Sequence, residues 1–441
     1  MPGVWGAGLV GVEGCTVIKK IRVEDLQVGM FVSDFNVSWM DHPFMGSQKR
    51  IKSAKEVAQI AKHGIREVYI DTAKGQDSGK AVSVQEASTA VRSEMDQQVA
   101  PAGGEPESPP AVTDERNREF EEELQRAKVV YGEAKGMVKD LLEDARLGKS
   151  VDGERAAQVV GNMVDSIFRN PDALSSLSRL KNFDDYTFQH SLNVSVLALT
   201  LGRHLGLVAD ELKRLGIGAI LHDIGKMRVP EAILNKPGKY TDEEFEIMKR
   251  HPLYGAKILM DNKNVPDDCA NVALNHHERF NGKGYPRGLS GMDIGKFGLI
   301  SAIVDVYDAI SSDRVYHTGM PSHVAMQKIF EWGKHDFYPI YVQKFVQCVG
   351  IYPIGTPVRL DTGELGVVYR QQHNVLVRPW VRLVTDADGE PLLRHRDVDL
   401  READPQGTKE YARTIGAVLD PQSAGFDVES VLLPGESQRA A

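Results

Sequence analysis

The chain has 441 residues, about three times the size of a common single domain, which indicates two to four folded units. Its content of 41% hydrophobic and 26% charged residues is close to the globular average and excludes a largely disordered or fibrous protein. The formal net charge of −9 argues against a general nucleic-acid binder, which needs a basic surface to displace counterions from phosphate.

The cysteine usage and hydropathy indicate the compartment. Cys15, Cys269 and Cys348 form no CxxC pair, so we expect neither a disulfide framework nor a thiolate zinc site. No apolar run approaches the roughly 18 residues of a membrane span, and the N-terminus lacks the basic start and apolar stretch of a signal peptide. We therefore expect a cytoplasmic protein that neither inserts into a membrane nor binds a nucleic acid polymer.

The N-terminal part predicts a small mixed β/α domain over residues 17–72. Strand-like alternation at 17–32 and helical spacing at 53–62 indicate this mixture. Residues 73–112 contain no aromatic residue and carry four prolines after residue 100. Such a composition cannot offset the entropy cost of folding, so it predicts a flexible linker.

Residues 113–147 predict a connecting helix with a narrow apolar seam. The apolar positions, spaced alternately by four and three, are Phe120, Leu124, Ala127, Tyr131, Ala134, Val138, Leu141 and Ala145. Such a seam can pair two chains as a parallel homodimer, or it can pack one helix against the next domain. Alanines in the seam, together with Gly132 and Gly136 inside the helix, favour packing over pairing.

Residues 150–350 predict an all-α centre. Helical apolar spacing occurs in four segments, 210–221, 242–261, 266–278 and 297–311. Beyond Tyr352 the pattern changes to period two with two turn signals, which predicts a small antiparallel β module over 351–405. Residues 406–441 predict a loose tail. The expected fold is therefore multidomain, with an α/β N-terminal domain, a helical bundle and a β module.

The histidines of the helical centre indicate a metal site. Of the thirteen in the chain, five that lie at or near helix ends within one stretch of 88 residues are His190, His222, His251, His276 and His277. Asp223 offers a carboxylate that is able to bridge two cations, and Asp305 interrupts an apolar helix where a buried carboxylate needs a partner. One such histidine alone is most often a satisfied core residue, but the set together favours metal. Closed structural zinc sites favour cysteine, which makes that interpretation weaker.

A glycine-rich loop follows the last two histidines at residues 281–288, here called the GYP loop. Its glycines allow a close approach to the backbone, while Lys283 and Arg287 are candidate phosphate contacts. Tyr285 offers a ring face for a base. The alternative is an ordinary surface turn, because segments with glycine and proline are mostly turns.

These motifs resemble a known family when they are read in order. They are His222-Asp223-Ile224-Gly225-Lys226, His251-Pro252, His276-His277-Glu278-Arg279 and Gly284-Tyr285-Pro286. They resemble the HD-GYP branch of the HD metal-dependent phosphohydrolases over roughly residues 180–345, and residues 17–72 resemble an uncharacterised domain often found before HD-GYP domains. The resemblance implies an HD-type helical bundle whose two- or three-metal centre hydrolyses cyclic di-GMP, a bacterial second messenger, and so favours motility over biofilm.

The resemblance also implies roles for individual residues. The metal ligands would be His190, His222, Asp223, His251, His276, His277 and Asp305, with Asp223 bridging two ions. Iron or manganese is the expected metal, and nickel or zinc also suits these ligands. The substrate contacts would be Lys226, Gly284, Tyr285, Pro286 and Arg314. Lys226 would stabilise charge at the scissile phosphate, although a solvated lysine at a helix end is the alternative.

One departure from the family pattern predicts the product. Members with three metals carry a glutamate four residues before the first histidine ligand, and Tyr186 stands at that position here. We therefore expect two metals, a first cut faster than the second, and accumulation of linear pGpG. Two alternatives remain: a module that senses cyclic di-GMP or docks diguanylate cyclases through the GYP loop, and a hydrolase of another cyclic dinucleotide. The complete ligand set favours the cyclic di-GMP enzyme.

Overall fold

The structure is a computed structural model of the chain, which divides into two compact units near residue 97. It describes residues 18–37, 48–99, 114–178, 186–236, 238, 240–313, 319–372, 375–421 and 423–433. The side chains of residues 114–119 and 186–187 are not described.

The first unit is built on a five-stranded antiparallel sheet in the order β3-β2-β4-β1-β5. Its elements are β1 (Ile18–Arg22), β2 (Phe31–Asp34), β3 (Lys49–Arg50), α1 (Ala54–Lys62), β4 (Glu67–Asp71), β5 (Val82–Ser83) and most of α2 (Val84–Val99). Ile21 pairs with Val68 and Val32 with Ile70, and these side chains belong to one buried core with Ile60 of α1. The alternation of the strands therefore creates the apolar face that α1 covers.

The structure differs from the linker predicted over 73–112 in the first half of that segment. Strand β5 pairs with β1, and α2 follows it directly. The Ser83 hydroxyl accepts from the Glu86 backbone N–H, while the Glu86 carboxylate accepts from the Ser83 N–H, which is a capping box. Met95 and Val99 are buried, so two apolar side chains stabilise α2 although the segment contains no aromatic residue. Residues 100–113 lie outside the described residues.

The second unit contains the helical centre, as predicted. Its helices are α3 (Asp114–Arg146), α4 (Gly153–Arg169), α5 (Pro171–Leu177), α6 (Tyr186–His204), α7 (Ala209–Ile220), α8 (Glu231–Leu234), α9 (Asp242–Met248), α10 (His251–Met260), α11 (Asp267–Asn275), α12 (Lys296–Ser311), α13 (Ser322–Trp332) and α14 (Pro339–Val349). The segment predicted as one helix over 242–261 is two helices, α9 and α10. Pro252 sits in the first turn of α10, where its missing N–H costs nothing, and this puts His251 at a helix start.

The apolar seam of α3 packs within the chain. Seven of its eight predicted positions are buried, the exception being the half-buried Ala145. Helix α3 contacts α4, α5 and α6 of the same unit. The seam is thus occupied by neighbouring helices, and the structure gives no support to a homodimer formed through it.

The β module is a five-stranded antiparallel sheet in the order β10-β6-β7-β8-β9. Its elements are β6 (Pro357–Leu360), β7 (Leu365–Arg370), β8 (Trp380–Thr385), β9 (Pro391–Asp399), β10 (Ile415–Val418) and the short helix α15 (Val428–Leu432). Strand β10 and α15 fall in the predicted loose tail. Ile415 pairs with Leu360 of β6, more than fifty residues earlier, so a short strand of weak local signal gains its stability from distant pairing. The predicted multidomain fold class is confirmed.

Two findings concern the hydropathy of the helices and the state of the cysteines. None of the helices in the described part of the chain combines the length and apolarity needed to cross a membrane. Cys269 and Cys348 are buried free thiols, and burial together with the nearby Asp268 charge raises the pKa of Cys269 to about 12. Cys269 is therefore held as an unreactive thiol. Cys15 lies outside the described residues.

Arg382 of β8 fastens the β module to α3. Its guanidinium donates to Asp397 at 2.7 Å and to Glu121 of α3 at 2.9 Å, and it lies 3.8 Å from the centre of the Tyr369 ring. We expect Arg382→Ala to lower the free energy of unfolding by about 3 kcal/mol, because two carboxylates lose their buried partner. Urea denaturation checks this against Arg359→Ala, an exposed arginine of the same sheet. Equal destabilisation by both variants would contradict the assigned role.

Candidate metal centre

The structure brings all seven predicted metal ligands together at one place in the helical centre. His190 lies in the second turn of α6, His222 and Asp223 follow α7, His251 begins α10, His276 and His277 follow α11, and Asp305 lies within α12. All seven are buried. Helix ends converge here because α11 packs on both α7 and α10, and α10 also packs on the turn Ile224–Arg228 that follows α7. The side chains that leave these ends point at a shared space.

The ligand atoms form two groups. Asp223, His251, His276 and His277 make one, and His190, His222 and Asp305 make the other; within each group the ligand atoms lie within 4.8 Å of one another. Asp223 faces both groups, since its Oδ1 is 3.3 Å from His251 Nε2 and its Oδ2 is 3.3 Å from His222 Nε2. Asp223 is therefore placed where one carboxylate would serve two cations.

Hydrogen bonds at the far nitrogens fix the imidazole tautomers. The Nδ1–H groups of His222 and His251 donate to the carbonyls of Ala219 and Met248, both at 2.7 Å. His276 Nδ1 donates to Ala273 O at 2.9 Å in the same way. These carbonyls are acceptors near helix ends, and each lies three residues before its histidine. The Nε2 lone pairs are thereby directed at the shared space.

Lone pairs that face one another show that the site fits cations. His251 Nε2 lies 3.3 Å from His276 Nε2, and neither carries the proton when Nδ1 does. Among the described residues, His222 Nε2, Asp223 Oδ1 and His277 Nδ1 are buried polar atoms with no hydrogen-bond partner. Burial of such atoms is costly unless something positive lies between them. Imidazole nitrogen with carboxylate oxygen is the donor set of a transition-metal ion, so these residues fit two metals.

At His276, His277 and Asp223 the electrostatics favour the forms that bind metal. Burial, helped by neighbouring His222, lowers the pKa of His276 to about 3, and burial with His276 lowers the pKa of His277 well below its usual range. Burial alone would raise the pKa of Asp223, but Lys226 and His222 outweigh it and hold that pKa well below normal. Neutral imidazoles and an ionised carboxylate are the forms that bind a cation without first releasing protons.

Asp308 braces His190, and the sequence interpretation missed it. Its Oδ2 accepts from His190 Nδ1–H at 2.6 Å, which turns His190 Nε2 towards Asp305 Oδ1 at 3.2 Å. Burial would lower the pKa of His190, but its bonds to Asp305 and Asp308 outweigh burial and raise the pKa to about 9. A signal was present in the sequence, because Asp308 lies one turn after Asp305 on the same face of an apolar helix.

Lys226 lies at the edge of the centre. It belongs to the 3₁₀ turn Ile224–Arg228, and its Nζ is 2.5 Å from Asp223 Oδ2 while its side chain is 30% exposed. The lysine therefore touches the bridging carboxylate and still reaches solvent. This placement lets it meet both Asp223 and an incoming anion.

The GYP loop lies against the same group of ligands. The Tyr285 ring stacks on His277 with ring centres 4.6 Å apart and planes 30° apart. A Cβ at Gly284 would lie 2.3 Å from the backbone nitrogen of Arg279, so only glycine fits there. Pro286, which follows Tyr285, is half-buried. The predicted phosphate contact Arg314 lies outside the described residues.

Glu278 holds the GYP loop in place, a role that the sequence interpretation also missed. Its fully buried carboxylate accepts from the backbone N–H of Arg287 at 2.8 Å and of Leu289 at 3.0 Å. Arg287 and Lys283 are both exposed, and Arg287 also donates from Nη2 to Asn275 Oδ1 at 2.8 Å. Of the two predicted loop cations, Arg287 is thus engaged with its own domain.

Gly225 sets the distance between the Asp223 turn and α10. A Cβ there would lie 1.9 Å from His251 O and 2.4 Å from Gly255 N, both backbone atoms that cannot yield without moving α10. We expect Gly225→Ala to lower bound metal to less than one ion per chain and to lower the thermal unfolding temperature, because Asp223 and His251 separate.

Metal analysis and thermal unfolding of Gly225→Ala test this expectation beside a matched control. In Gly161→Ala on α4, the added Cβ meets no atom of the described residues within 4 Å. That control should keep its metal and gain up to about 1 kcal/mol of stability from better helix propensity. Normal metal content in Gly225→Ala would show that this close approach does not shape the site.

Three family profiles match successive parts of the chain. Residues 18–156 match a domain of unknown function, DUF3391; residues 163–338 match the HD domain; and residues 357–405 match the KOW domain associated with HD domain. The HD match contains all seven predicted ligands.

Curated relatives carry related activities. The chain is 38% identical to "Cyclic di-GMP phosphodiesterase PA4108" of Pseudomonas aeruginosa, over 88% of this chain and 90% of that protein. It is 36% identical to "Cyclic di-GMP phosphodiesterase" of Thermotoga maritima, over 42% of this chain and 50% of that protein. It is 39% identical to "3'3'-cGAMP-specific phosphodiesterase 1" of Vibrio cholerae, over 32% of each chain.

Proposed function

Because the chain belongs to the HD-GYP branch of the HD-domain phosphohydrolases, we propose that it is a metal-dependent phosphodiesterase that hydrolyses cyclic di-GMP. The single observation that carries this proposal is Asp223, whose two oxygens face two separate groups of imidazole and carboxylate ligands. A shared carboxylate is what a two-metal phosphodiester hydrolase requires, whereas a module that only senses or docks has no need of it.

The two ligand groups would hold two divalent metals, with Asp223 between them. Bound there, the metals supply an activated water near neutral pH and neutralise charge on the phosphoryl oxygens. We propose iron or manganese on the mixture of imidazole and carboxylate donors, which also suits nickel and zinc. Carbonyls at the helix ends, together with Asp308, orient the imidazoles so that little rearrangement is needed when metal binds.

Lys226 would act on the substrate from the edge of the centre. Its ammonium touches Asp223 and is partly exposed, so it can also meet a non-bridging oxygen of the scissile phosphate. The attraction between this ammonium and the phosphate would be stronger in the transition state, when negative charge builds on the phosphoryl oxygens. Lys226 therefore serves as a charge stabiliser.

The GYP loop would contact the rest of the substrate. Tyr285 presents a ring beside the ligand group of His277, where a guanine base can stack, and Gly284 and Pro286 shape its surroundings. We assign Arg314 to a phosphate of the substrate by its family motif alone. The name of PA4108, matched over most of both chains, favours cyclic di-GMP over 3'3'-cGAMP, the substrate named for a relative matched over a third of each chain.

We propose the cytoplasm as the compartment, on the cysteine usage, and turnover of the messenger as the role in motility and biofilm control. Docking of diguanylate cyclases on the GYP loop is a secondary proposal, supported by the exposed Lys283. A homodimer is a further proposal without support from the seam of α3, which is buried within the chain.

The product should be linear pGpG before any GMP appears. Tyr186 takes the place of the glutamate that would support a third metal; its side chain lies outside the described residues, so this expectation rests on sequence. Metal-loaded protein is incubated anaerobically with cyclic di-GMP, and products are separated by chromatography over time. GMP that rises from the first time point without a pGpG phase would contradict the expectation. Tyr186→Glu is the matched variant and should speed up the second cut.

A further inference from the structure

A chain of buried side chains leads from the connecting helix α3 to the metal ligand His190. Tyr131 of α3 donates from Oη to Asn193 Oδ1 at 2.7 Å, and Asn193 Nδ2 donates to Asp308 Oδ1 at 3.1 Å. Asp308 Oδ2 in turn accepts from His190 Nδ1–H at 2.6 Å. Each of these four side chains is at most 9% exposed, so water does not substitute for the bonds.

The donor and the acceptor of each of these hydrogen bonds are fixed by the chemistry of the groups. The carboxylate of Asp308 accepts only, so Asn193 must present its amide N–H to it and its carbonyl oxygen to Tyr131. Burial, with the Asp308 charge nearby, raises the pKa of Tyr131 above its usual range, which keeps the hydroxyl protonated as a donor. A reversed amide would place two oxygens against each other at Asp308. Asp308 therefore fixes the orientation of the Asn193 amide, and the hydroxyl of Tyr131 holds that amide in place by donating to its carbonyl oxygen.

We propose that Tyr131 is a positioning residue for the metal centre, acting through Asn193 and Asp308 to hold His190 in its metal-binding orientation. Tyr131 lies outside the part that matches the HD domain and inside the part that matches the domain of unknown function. Helix α3 is therefore part of the metal-binding machinery, and the seam residue Tyr131 does more than fill space.

The effect should be confined to one of the two metals. Tyr131 reaches His190, which belongs with His222 and Asp305, whereas the other group is oriented by separate carbonyls such as Met248 O. Partners that orient a metal-bound histidine typically contribute about 10- to 100-fold to metal affinity. For a residue one step further away, we expect a loss of affinity of about tenfold. A merely structural residue of α3 would not weaken one ion selectively.

The test titrates Mn²⁺ into the metal-stripped full chain by calorimetry. Tyr131→Phe should lower the affinity for one of the two Mn²⁺ ions about tenfold and leave the affinity for the other unchanged. Asp308→Asn should weaken the same ion more. If Tyr131 acts through Asp308, the double variant should bind Mn²⁺ no more weakly than Asp308→Asn alone. Wild-type affinity in Tyr131→Phe, equal weakening of both ions, or additive effects would each overturn the proposal.

Val138→Ala is the matched control, since Val138 is a fully buried seam residue of α3 about two turns beyond Tyr131 and outside the network. It should lower thermal stability through the cavity it leaves, with both Mn²⁺ affinities unchanged. Selective loss of one ion in this control would mean that any loosening of α3 has the effect, and the proposal would fall. The inference rests on the proposed metal centre but not on its substrate. Normal Mn²⁺ binding without hydrolysis of cyclic di-GMP would therefore reject the proposed function alone.

Discussion

Asp223→Ala should abolish hydrolysis of cyclic di-GMP and lower bound metal from two ions per chain to one or fewer. Asp223 is the residue whose two oxygens face both ligand groups. Its removal therefore deprives each ion of a ligand and removes the group that sets the spacing between the ions. The expected loss of turnover exceeds the roughly 10²- to 10³-fold that removal of one charge-stabilising donor costs. Metal analysis and an initial-rate assay check both parts.

The control for this variant is Asp293→Ala, an exposed carboxylate in the turn before α12. It should keep wild-type metal content and turnover. Far-UV circular dichroism on both variants separates loss of the site from loss of the fold. If Asp223→Ala folds, retains two metals and hydrolyses substrate at a measurable rate, Asp223 does not bridge the ions.

Lys226→Ala should have the opposite signature, with metal content spared and turnover reduced by about 10²- to 10³-fold, the cost of losing one preorganised charge in the transition state. The ligand set stays complete, because Lys226 touches Asp223 but belongs to neither group of ligand atoms. A fall in kcat with a smaller change in KM would identify a contact made chiefly in the transition state.

Lys257→Ala, an exposed lysine on α10, controls for a general loss of positive charge near the site and should leave kcat unchanged. Two results would refute the assigned role of Lys226. Wild-type kcat in Lys226→Ala would show that Lys226 does not stabilise the transition state. Loss of metal in the same variant would show that the lysine acts by holding the charge of Asp223.

The seven candidate metal ligands could be proposed from the sequence because residue type and spacing, together with the family resemblance, carry the signal. Imidazoles at helix ends and a carboxylate inside an apolar helix are rare without a polar partner, and Asp305 is a clear case. What spacing could not supply is which oxygen faces which group. That depends on how α7, α10 and α11 converge, a tertiary arrangement that local periodicity does not encode.

The supporting residues were harder to find for the same reason. Tyr131 is in the apolar seam of α3, where its ring fits the spacing, so its hydroxyl gave no local signal. Its partner Asn193 lies 62 residues away on α6. A hydrogen bond at that separation is created by helix packing. Periodicity predicted that the seam of α3 would be buried, but it could not tell a second chain from α4, α5 and α6.

The predicted domain boundaries differ from the structure where strands pair over a long sequence distance and where the amino-acid composition concealed a local signal. Strand β10 is short, and Ile415 finds its partner Leu360 only in the folded sheet. Helix α2 lacks aromatic residues, yet its capping box at Ser83 and Glu86 was readable from sequence. Composition across forty residues masked that local signal.

Two-metal hydrolysis of cyclic di-GMP is tested most directly by a metal titration of activity. The full chain is stripped of metal and reconstituted anaerobically with increasing equivalents of Fe²⁺ or Mn²⁺, and initial rates of cyclic di-GMP hydrolysis are measured by chromatography. We expect no hydrolysis without metal and a rate that rises to a plateau at two equivalents per chain. Hydrolysis that persists in the stripped protein under chelator, or its absence at every metal loading, would contradict the account.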